Sequence, residues 1–219
     1  MPPPTTPSEP RLPASLEALS ADDPGLCEPH ELAGVELHGA RWAGLGASGL
    51  RIDETRLCGC DLSGAALADP ELTDAVLDEP NLANAVIRGG SLTRVLVSGG
   101  RLTGSQWAET RINDTVWRNA AADLSAFRLS ELVRVTFDSC NLREADFTGA
   151  SCSWVRFHDC NLTGAVFSKA RFVNSELRRC RLDAVEGVAG LAGTSMEFDA
   201  VLGLAPQLAD ALGIDLLDD

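Results

Sequence analysis

Large apolar residues recur every five positions over most of the chain. Stepping by five from Leu32 reaches Leu182 through 31 positions without an insertion or deletion, and 28 of these hold Leu, Phe, Ile, Trp or Val. The exceptions are Ala47, Ala122 and Cys152. The residue two places earlier is small in 28 of the 31 cases. A register of this length is an internal repeat, and it has to be interpreted before any single segment.

Neither an α-helix nor a continuous strand buries such a repeat on one side. Residues five apart point to opposite faces of a strand, and on a helix they are separated by about 140°. A chain that turns once per pentapeptide would direct every large residue towards a common axis. Cys140, Cys160 and Cys180 add a second period of twenty residues, which is four pentapeptides. The pattern therefore predicts a coil with four sides.

The repeat units resemble those of the pentapeptide repeat family. The resemblance is carried by AALAD at 65–69, ADFTG at 145–149 and CNLTG at 160–164, and it covers residues 30–184. It implies an all-β solenoid, a right-handed quadrilateral β-helix, of about 7.75 coils at twenty residues per coil.

The segments outside the repeat differ from it in composition. Residues 1–29 are rich in proline, and we expect them to be disordered or loosely ordered. Residues 185–219 are expected to form a last partial coil and a short helical cap. An apolar helix face there is predicted from Val201, Leu202, Leu204, Leu208, Leu212 and Ile214. Two roles remain possible for this segment. It either caps the end of the solenoid or, as the resemblance implies, also forms a symmetric dimer.

The net charge of −14 is concentrated at the ends of the chain. Residues 1–30 carry −4, residues 31–183 carry −3 and residues 184–219 carry −7. The rod is thus close to neutral, whereas duplex DNA has one charge per about 1.7 Å. One stretch has acids and no base, and we call it the acidic girdle: Asp61, Asp69, Glu71, Asp74, Asp78 and Glu79. We predict that it contacts a basic partner surface.

Three apolar residues fall in one outward column at twenty-residue spacing. Val76, Leu96 and Val116 form this apolar ladder. It is either a partner surface or simply a β-rich wall of the solenoid.

The residues offer little for catalysis. The chain has no glycine-rich phosphate loop, no nucleophile elbow and no His beside a candidate nucleophile. The seven cysteines are best explained as small buried thiols, because their number is odd and no export signal is present. We expect no metal site, no cofactor and no enzymatic activity. We also expect a cytoplasmic protein without membrane contact, since the sequence has neither a leader nor a long apolar segment.

The resemblance also implies a function. The quinolone-resistance members of the family bind DNA gyrase as acidic rods shaped like duplex DNA and dimerise through their C-terminal ends. By this resemblance the chain engages DNA gyrase or another type II topoisomerase as a partial DNA mimic, modulates supercoiling and confers resistance to topoisomerase poisons. It would not bind nucleic acid directly. The alternative is an interaction scaffold with an unidentified protein partner and no topoisomerase role.

Overall fold

The chain winds into a parallel β-solenoid in the computed structural model, which describes residues 5–20 and 30–217. Each pentapeptide contributes one side of a coil. The large residue at its centre and the small residue two places earlier point inward and form one continuous core. The residue two places after the centre forms the corner. Every non-glycine residue with positive φ among the described residues lies at such a corner, with φ between 47° and 60°. The predicted turn per pentapeptide is confirmed.

Stacked coils pair in register at a spacing of twenty residues. Leu96, for example, pairs with Val76 on one side and with Val116 on the other. The four sides are named here by the strands or bridges that begin them: face 1 at residues such as Glu71, face 2 at Val76, face 3 at Asn81 and face 4 at Val86.

Faces 1 and 2 form one large sheet. Its strands are β1 Glu17–Leu19, β2 Glu31–Ala33, β3 Val35–His38, β5 Arg51–Asp53, β6 Arg56–Cys58, β8 Glu71–Asp78, β10 Ser91–Ser98, β12 Arg111–Arg118, β13 Glu131–Asp138, β14 Ser151–Ser153, β15 Arg156–His158, β16 Arg171–Val173, β17 Ser175–Arg178 and β18 Thr194–Met196. Face 4 carries the second sheet, which consists of β4 Gly46–Ser48, β7 Ala66–Ala68, β9 Val86–Arg88 and β11 Gln106–Ala108. Face 3 is joined by isolated bridges such as Asp61 to Asn81.

The solenoid is longer than the periodic sequence predicts. Face 2 is a path of ten strands, so nine spacings of about 4.8 Å give a rod of roughly 43 Å. The extra strands are β1, which pairs with Val35–Leu37, and β18, which pairs with Ser175–Leu177. They are offset by 18 and 19 residues instead of 20. The five-residue register does not extend to them, and this is why the sequence estimate of 7.75 coils stopped short.

The core changes character along the rod. The coils between Leu50 and Leu102 are filled mainly by leucine and isoleucine, whereas aromatic rings fill those from Trp107 to Phe172. The rings form two interlocking columns. Phe127, Phe147 and Phe167 stack with centroid distances of 5.0 and 5.3 Å. The other column consists of Trp117, Phe137 and Phe157.

Helices close the C-terminal end of the rod. A 3-10 helix at Val188–Leu191 is followed by β18, α1 Phe198–Gly203 and α2 Ala205–Ala211. Pro206 lies in the first turn of α2, where its missing N–H would have no partner in the helix. The predicted helical cap is confirmed.

The N-terminal segment differs from its expected state. Residues 1–4 and 21–29 of the predicted disordered stretch lie outside the described residues. Residues 5–20, however, make defined contacts: β1 joins the large sheet, and the residues before it lie against the solenoid wall. The division at residues 29 and 184 otherwise stays a prediction.

Candidate protein-binding surfaces

The acidic girdle is divided by its own hydrogen bonds. Asp74 is buried, and its carboxylate accepts bonds from Arg94 Nε and Nη2 at 2.7 and 2.6 Å. The backbone N–H of Arg11 donates to Asp74 Oδ1 at 2.8 Å. The bonds from Arg94 lower the pKa of Asp74, burial opposes this effect, and the Arg11 N–H adds to it. Asp74 is therefore engaged within the folded chain and is not one of the accessible acids.

Asp61 is also engaged within the rod. It accepts from the backbone N–H of Ser63 at 3.0 Å and from Asn81 Nδ2 at 2.9 Å. The hydrogen bonds from Ser63 are the main reason why the pKa of Asp61 is lowered. Asp61 is half-buried, so only part of its carboxylate faces solvent.

The other four members of the acidic girdle reach the surface. Asp69, Glu71 and Glu79 are exposed, and Asp78 is half-buried. Glu71 lies 3.3 Å from Arg51 across one coil, but both side chains are more than half exposed, so this pair is weak. Sequence reasoning grouped six acids; the structure buries Asp74, binds Asp61 to Ser63 and Asn81, and leaves these four at the surface, where Glu79 Oε2 accepts a hydrogen bond from the Gly100 N–H at 3.0 Å.

The apolar ladder is covered by the chain itself. Val76 is buried, and Leu96 and Val116 are half-buried. Glu9, Pro10 and Leu12 of the N-terminal segment line a cleft of about 390 Å³ together with the ladder. Arg56 and Arg118 line the same cleft. The ladder is thus not the open surface that its sequence position suggested. Periodicity locates a column on the wall, but it carries no information about a tail outside the repeat.

The predicted cap residues separate into two groups. Leu204 is buried and Leu208 is half-buried, and both line a cleft with Leu191 of the last coil. The remaining four members are exposed: Val201, Leu202, Leu212 and Ile214. Phe198 and Leu216 add to this exposed apolar surface, with exposures of 74% and 62%. Leu204 and Leu208 serve the cap, and the others are left uncovered.

The stacked cysteines fill small inward positions. The six cysteines of the described residues are free thiols. Cys140 Sγ donates to the carbonyl oxygen of Trp117 at 3.4 Å, and Cys160 Sγ donates to that of Phe137 at 3.4 Å. Thr55 Oγ1 makes the same bond to Leu32 at 3.3 Å. At this position a thiol and a hydroxyl thus have the same role: each donates a hydrogen bond to a carbonyl oxygen of the preceding coil.

One cluster of potential metal-ligating atoms was missed by sequence reasoning. Ligand atoms of Glu36, His38 and Cys58 lie within 4.8 Å of one another on face 2. His38 Nε2 lies 3.2 Å from Glu36 Oε1, so a direct side-chain contact within one strand explains the closeness of two of the three atoms. Burial, and then the charge of Glu36, raise the pKa of the Cys58 thiol. The signal for this cluster was the twenty-residue spacing of His38 and Cys58.

The described part of the chain has two α-helices, of six and seven residues. Neither has the length and apolarity that crossing a membrane as a helix would require.

Comparison with known proteins places the repeat in a family. Residues 110–186 match the model of the pentapeptide repeat region. Among solved structures, HetL from the cyanobacterium Nostoc sp. strain PCC 7120, involved in heterocyst differentiation regulation, is 16% identical with a TM-score of 0.47. The alignment covers 73% of this chain and 86% of HetL. No curated protein sequence matches the chain.

Two further solved structures are similar to the chain. A trypsin-treated single-residue variant of QnrB1, a plasmid-mediated fluoroquinolone resistance protein, is 18% identical with a TM-score of 0.44, over 93% of this chain and 99% of the other. A pentapeptide repeat protein of the Arabidopsis thaliana thylakoid lumen is 23% identical with a TM-score of 0.25, over 52% of this chain and 66% of the other. The family match covers residues 110–186, and the same register and corner geometry continue on both sides of it. The chain therefore contains a pentapeptide repeat region.

Proposed function

We propose that this chain is a non-enzymatic binding protein that engages DNA gyrase or a related type II topoisomerase in the cytoplasm as a partial DNA mimic. It would modulate supercoiling and protect against topoisomerase poisons. The observation that carries the proposal is a cluster of accessible acids on a rod of roughly 43 Å, whose interior is filled by its own side chains. These acids are Asp69, Glu71, Asp78 and Glu79.

The charge distribution limits the mimicry to one part of the rod. The accessible acids lie within about one coil, whereas many charges farther along are paired. Arg118 lies 3.4 Å from Asp138, and Arg179 lies 2.6 Å from Asp159. A localised negative patch attracts a basic protein groove, but it does not reproduce the evenly spaced phosphates of a duplex. We therefore propose a partial mimic that docks through the N-terminal half of the rod, on the coil of β8.

A supercoiling titration with gyrase, with and without a fluoroquinolone, tests the proposal. We expect inhibition of supercoiling, or rescue from the drug, at micromolar protein or below. The variant Asp69→Lys/Glu79→Lys should weaken the effect at least about tenfold, or 1.4 kcal/mol. Both residues occupy corners with φ of 50° and 48°, and Lys169 shows that lysine is accommodated at such a corner, with φ of 59°.

Asp183→Lys/Glu186→Lys is the matched control, because it changes the charge equally at the other end of the rod, where both residues are exposed. It should leave the titration unchanged. A flat response of the folded wild-type protein would overturn the topoisomerase proposal and leave the alternative of a scaffold with another protein partner. Equal effects of both double variants would overturn the assignment of the acids.

The C-terminal segment supports a homodimer as part of this proposal. Val201, Leu202, Leu212 and Ile214 remain exposed after Leu204 and Leu208 have docked on the last coil. A second copy that presents the same surface about a two-fold axis would cover them and hide the end of the solenoid. The dimer would also double the length of rod available to a partner.

A further inference from the structure

The described N-terminal residues bind the solenoid wall at two points. The N–H of Ser8 donates to Asp114 Oδ1 at 3.1 Å, and the N–H of Arg11 donates to Asp74 Oδ1 at 2.8 Å. These contacts join residues 106 and 63 positions apart in sequence. The segment thus runs along the rod axis, across coils, towards β1 at the N-terminal end. We call residues 7–13 the strap.

The strap and the wall share a repeat distance. Asp74 and Asp114 occupy the same corner column two coils apart, which is about 9.6 Å. Ser8 and Arg11 are three residues apart, and three residues of polyproline II helix rise about 9.3 Å. Pro7, Pro10 and Pro13 recur with the three-residue period of that helix. One turn of the strap therefore matches two coils of the solenoid.

The acceptors on the wall are held in place independently of the strap. Arg94 fixes the Asp74 carboxylate through two hydrogen bonds, and Arg134 fixes that of Asp114 through bonds of 2.8 and 2.6 Å. Each carboxylate still accepts an N–H from the strap through Oδ1. A preoriented charged acceptor forms stronger bonds to a backbone N–H than a neutral one does.

An apolar floor lies beside these acceptors. Pro10 and Leu12 face Val76, Leu96 and Val116 across the cleft. Proline-rich segments are bound elsewhere in apolar, aromatic-lined grooves, because their extended helix is preformed and loses little entropy. Here the floor is aliphatic, and the two fixed carboxylates add polar anchors.

We propose that face 2 between Asp74 and Asp114 is a binding groove for an extended proline-rich peptide with proline at every third residue. The strap is its intramolecular ligand. A proline-rich segment of another chain must displace the strap to enter the groove. Tethering gives the strap an effective concentration in the millimolar range, so the groove of the intact chain is closed to weak ligands. This inference does not depend on the topoisomerase proposal.

A peptide-binding experiment tests the groove directly. The probe is a fluorescent peptide of residues 1–16, and its binding is measured by anisotropy against the full-length chain and against a variant that lacks residues 1–13. We expect saturable binding to the shortened variant, and binding at least about tenfold weaker to the full chain because the tethered strap competes. A peptide of the same composition whose prolines do not fall on a three-residue spacing should bind the shortened variant at least tenfold more weakly.

Substitutions on the wall locate the binding. In the shortened variant, Leu96→Asp should abolish peptide binding, because it places a charge on the apolar floor. Thr136→Asp is the matched control: Thr136 is half-buried on face 2, pairs with Val116 and lies one coil beyond the strap. It should leave binding unchanged. Equal binding to the full and shortened chains, or equal binding of both peptides, would overturn the proposal.

Amide hydrogen exchange in the full-length chain gives a second test that needs no truncation. The N–H groups of Ser8 and Arg11 should exchange at least tenfold more slowly than that of Glu9, which lies between them. Exchange of all three at one common rate would show that the two anchors are not formed in solution and would overturn the proposal even if the shortened variant failed to fold.

Discussion

At the corner of each pentapeptide the backbone is left-handed, yet the side chain there varies widely. Arg94, Trp154, Lys169 and Ala184 all adopt φ between 53° and 60°. A left-handed residue other than glycine costs about 1–2 kcal/mol, and the repeat incurs this cost at 20 of the 31 corners from residue 34 to residue 184. Pairing between coils must offset it, because each corner is held by strands above and below. Glycine occupies the other 11 corners, so the turn favours glycine but does not require it.

Two glycines outside the corner positions are required because of a close contact with the neighbouring coil. Gly90 and Gly100 occupy small inward positions directly above Pro70 and Pro80. A Cβ on Gly100 would overlap the carbonyl oxygen of Pro80 and lie 2.6 Å from its Cδ. The need for glycine twenty residues after each proline depends on the stacking of the coils, and the five-residue pattern does not show it.

Gly100→Ala should therefore destabilise the protein by about 2–4 kcal/mol, because the coil above Pro80 has to move. Gly49→Ala is the control, since Gly49 has φ of 67° at a corner with no atom within 4 Å of the added Cβ. We expect about 1 kcal/mol for it. Urea unfolding followed by circular dichroism measures both; equal losses would refute the role assigned to the proline contact.

At the scale of the elements, the two halves of the rod are packed differently. The aromatic half has ring centroids 5.0–6.5 Å apart from Trp107 to Phe172. Such pairs add about 0.5–1.5 kcal/mol each beyond the area they bury. In the leucine half, a small apolar cavity of about 30 Å³ remains between side chains such as Leu62, Leu77 and Leu82. The half that carries the accessible acids is thus the less densely filled one.

This difference predicts uneven protection along the rod. In native-state hydrogen exchange, the amides of residues 107–172 that are hydrogen-bonded between coils should be the last to exchange, and those of residues 47–87 should open at a lower free energy. Opening should proceed coil by coil, because each coil contacts only its neighbours. One common opening free energy over both stretches would show that the rod unfolds as a single unit.

How much of the structure can be predicted from the sequence also differs between elements. The coils, their four sides and their core follow from the register of Leu32 to Leu182, because burial requires one inward residue per turn. The terminal strands β1 and β18 and the strap have no such register. Their positions depend on unpaired sheet edges and on the carboxylates of Asp74 and Asp114. The five-residue repeat gives no information about either. The acidic girdle is visible in the sequence as a stretch without a base, but the burial of Asp74 is not, because Arg94 binds it from the next coil.

At the scale of the whole molecule, the exposed C-terminal apolar surface should decide the oligomeric state. We expect light scattering after size-exclusion chromatography to give twice the 23.1 kDa of one chain. Leu202→Glu/Leu212→Glu should reduce this to the monomer, because both side chains are exposed in one chain, at 55% and 75%, and would be buried in the pair. The single change Leu129→Glu is the control, since Leu129 is 65% exposed on the rod wall. A monomeric wild-type protein would rule out the dimer.

The constant offset of twenty residues between paired strands has a consequence for how such a protein changes over generations. Removing or duplicating one coil shifts every later residue by a full turn, so each keeps its face, its inward or outward direction and the type of its neighbours. Length can therefore vary in whole steps while the fold is preserved. Any deletion that is not a multiple of five residues instead exchanges interior for surface. Insertions and deletions of twenty residues should accordingly be tolerated during evolution, whereas those whose length is not a multiple of five should be eliminated.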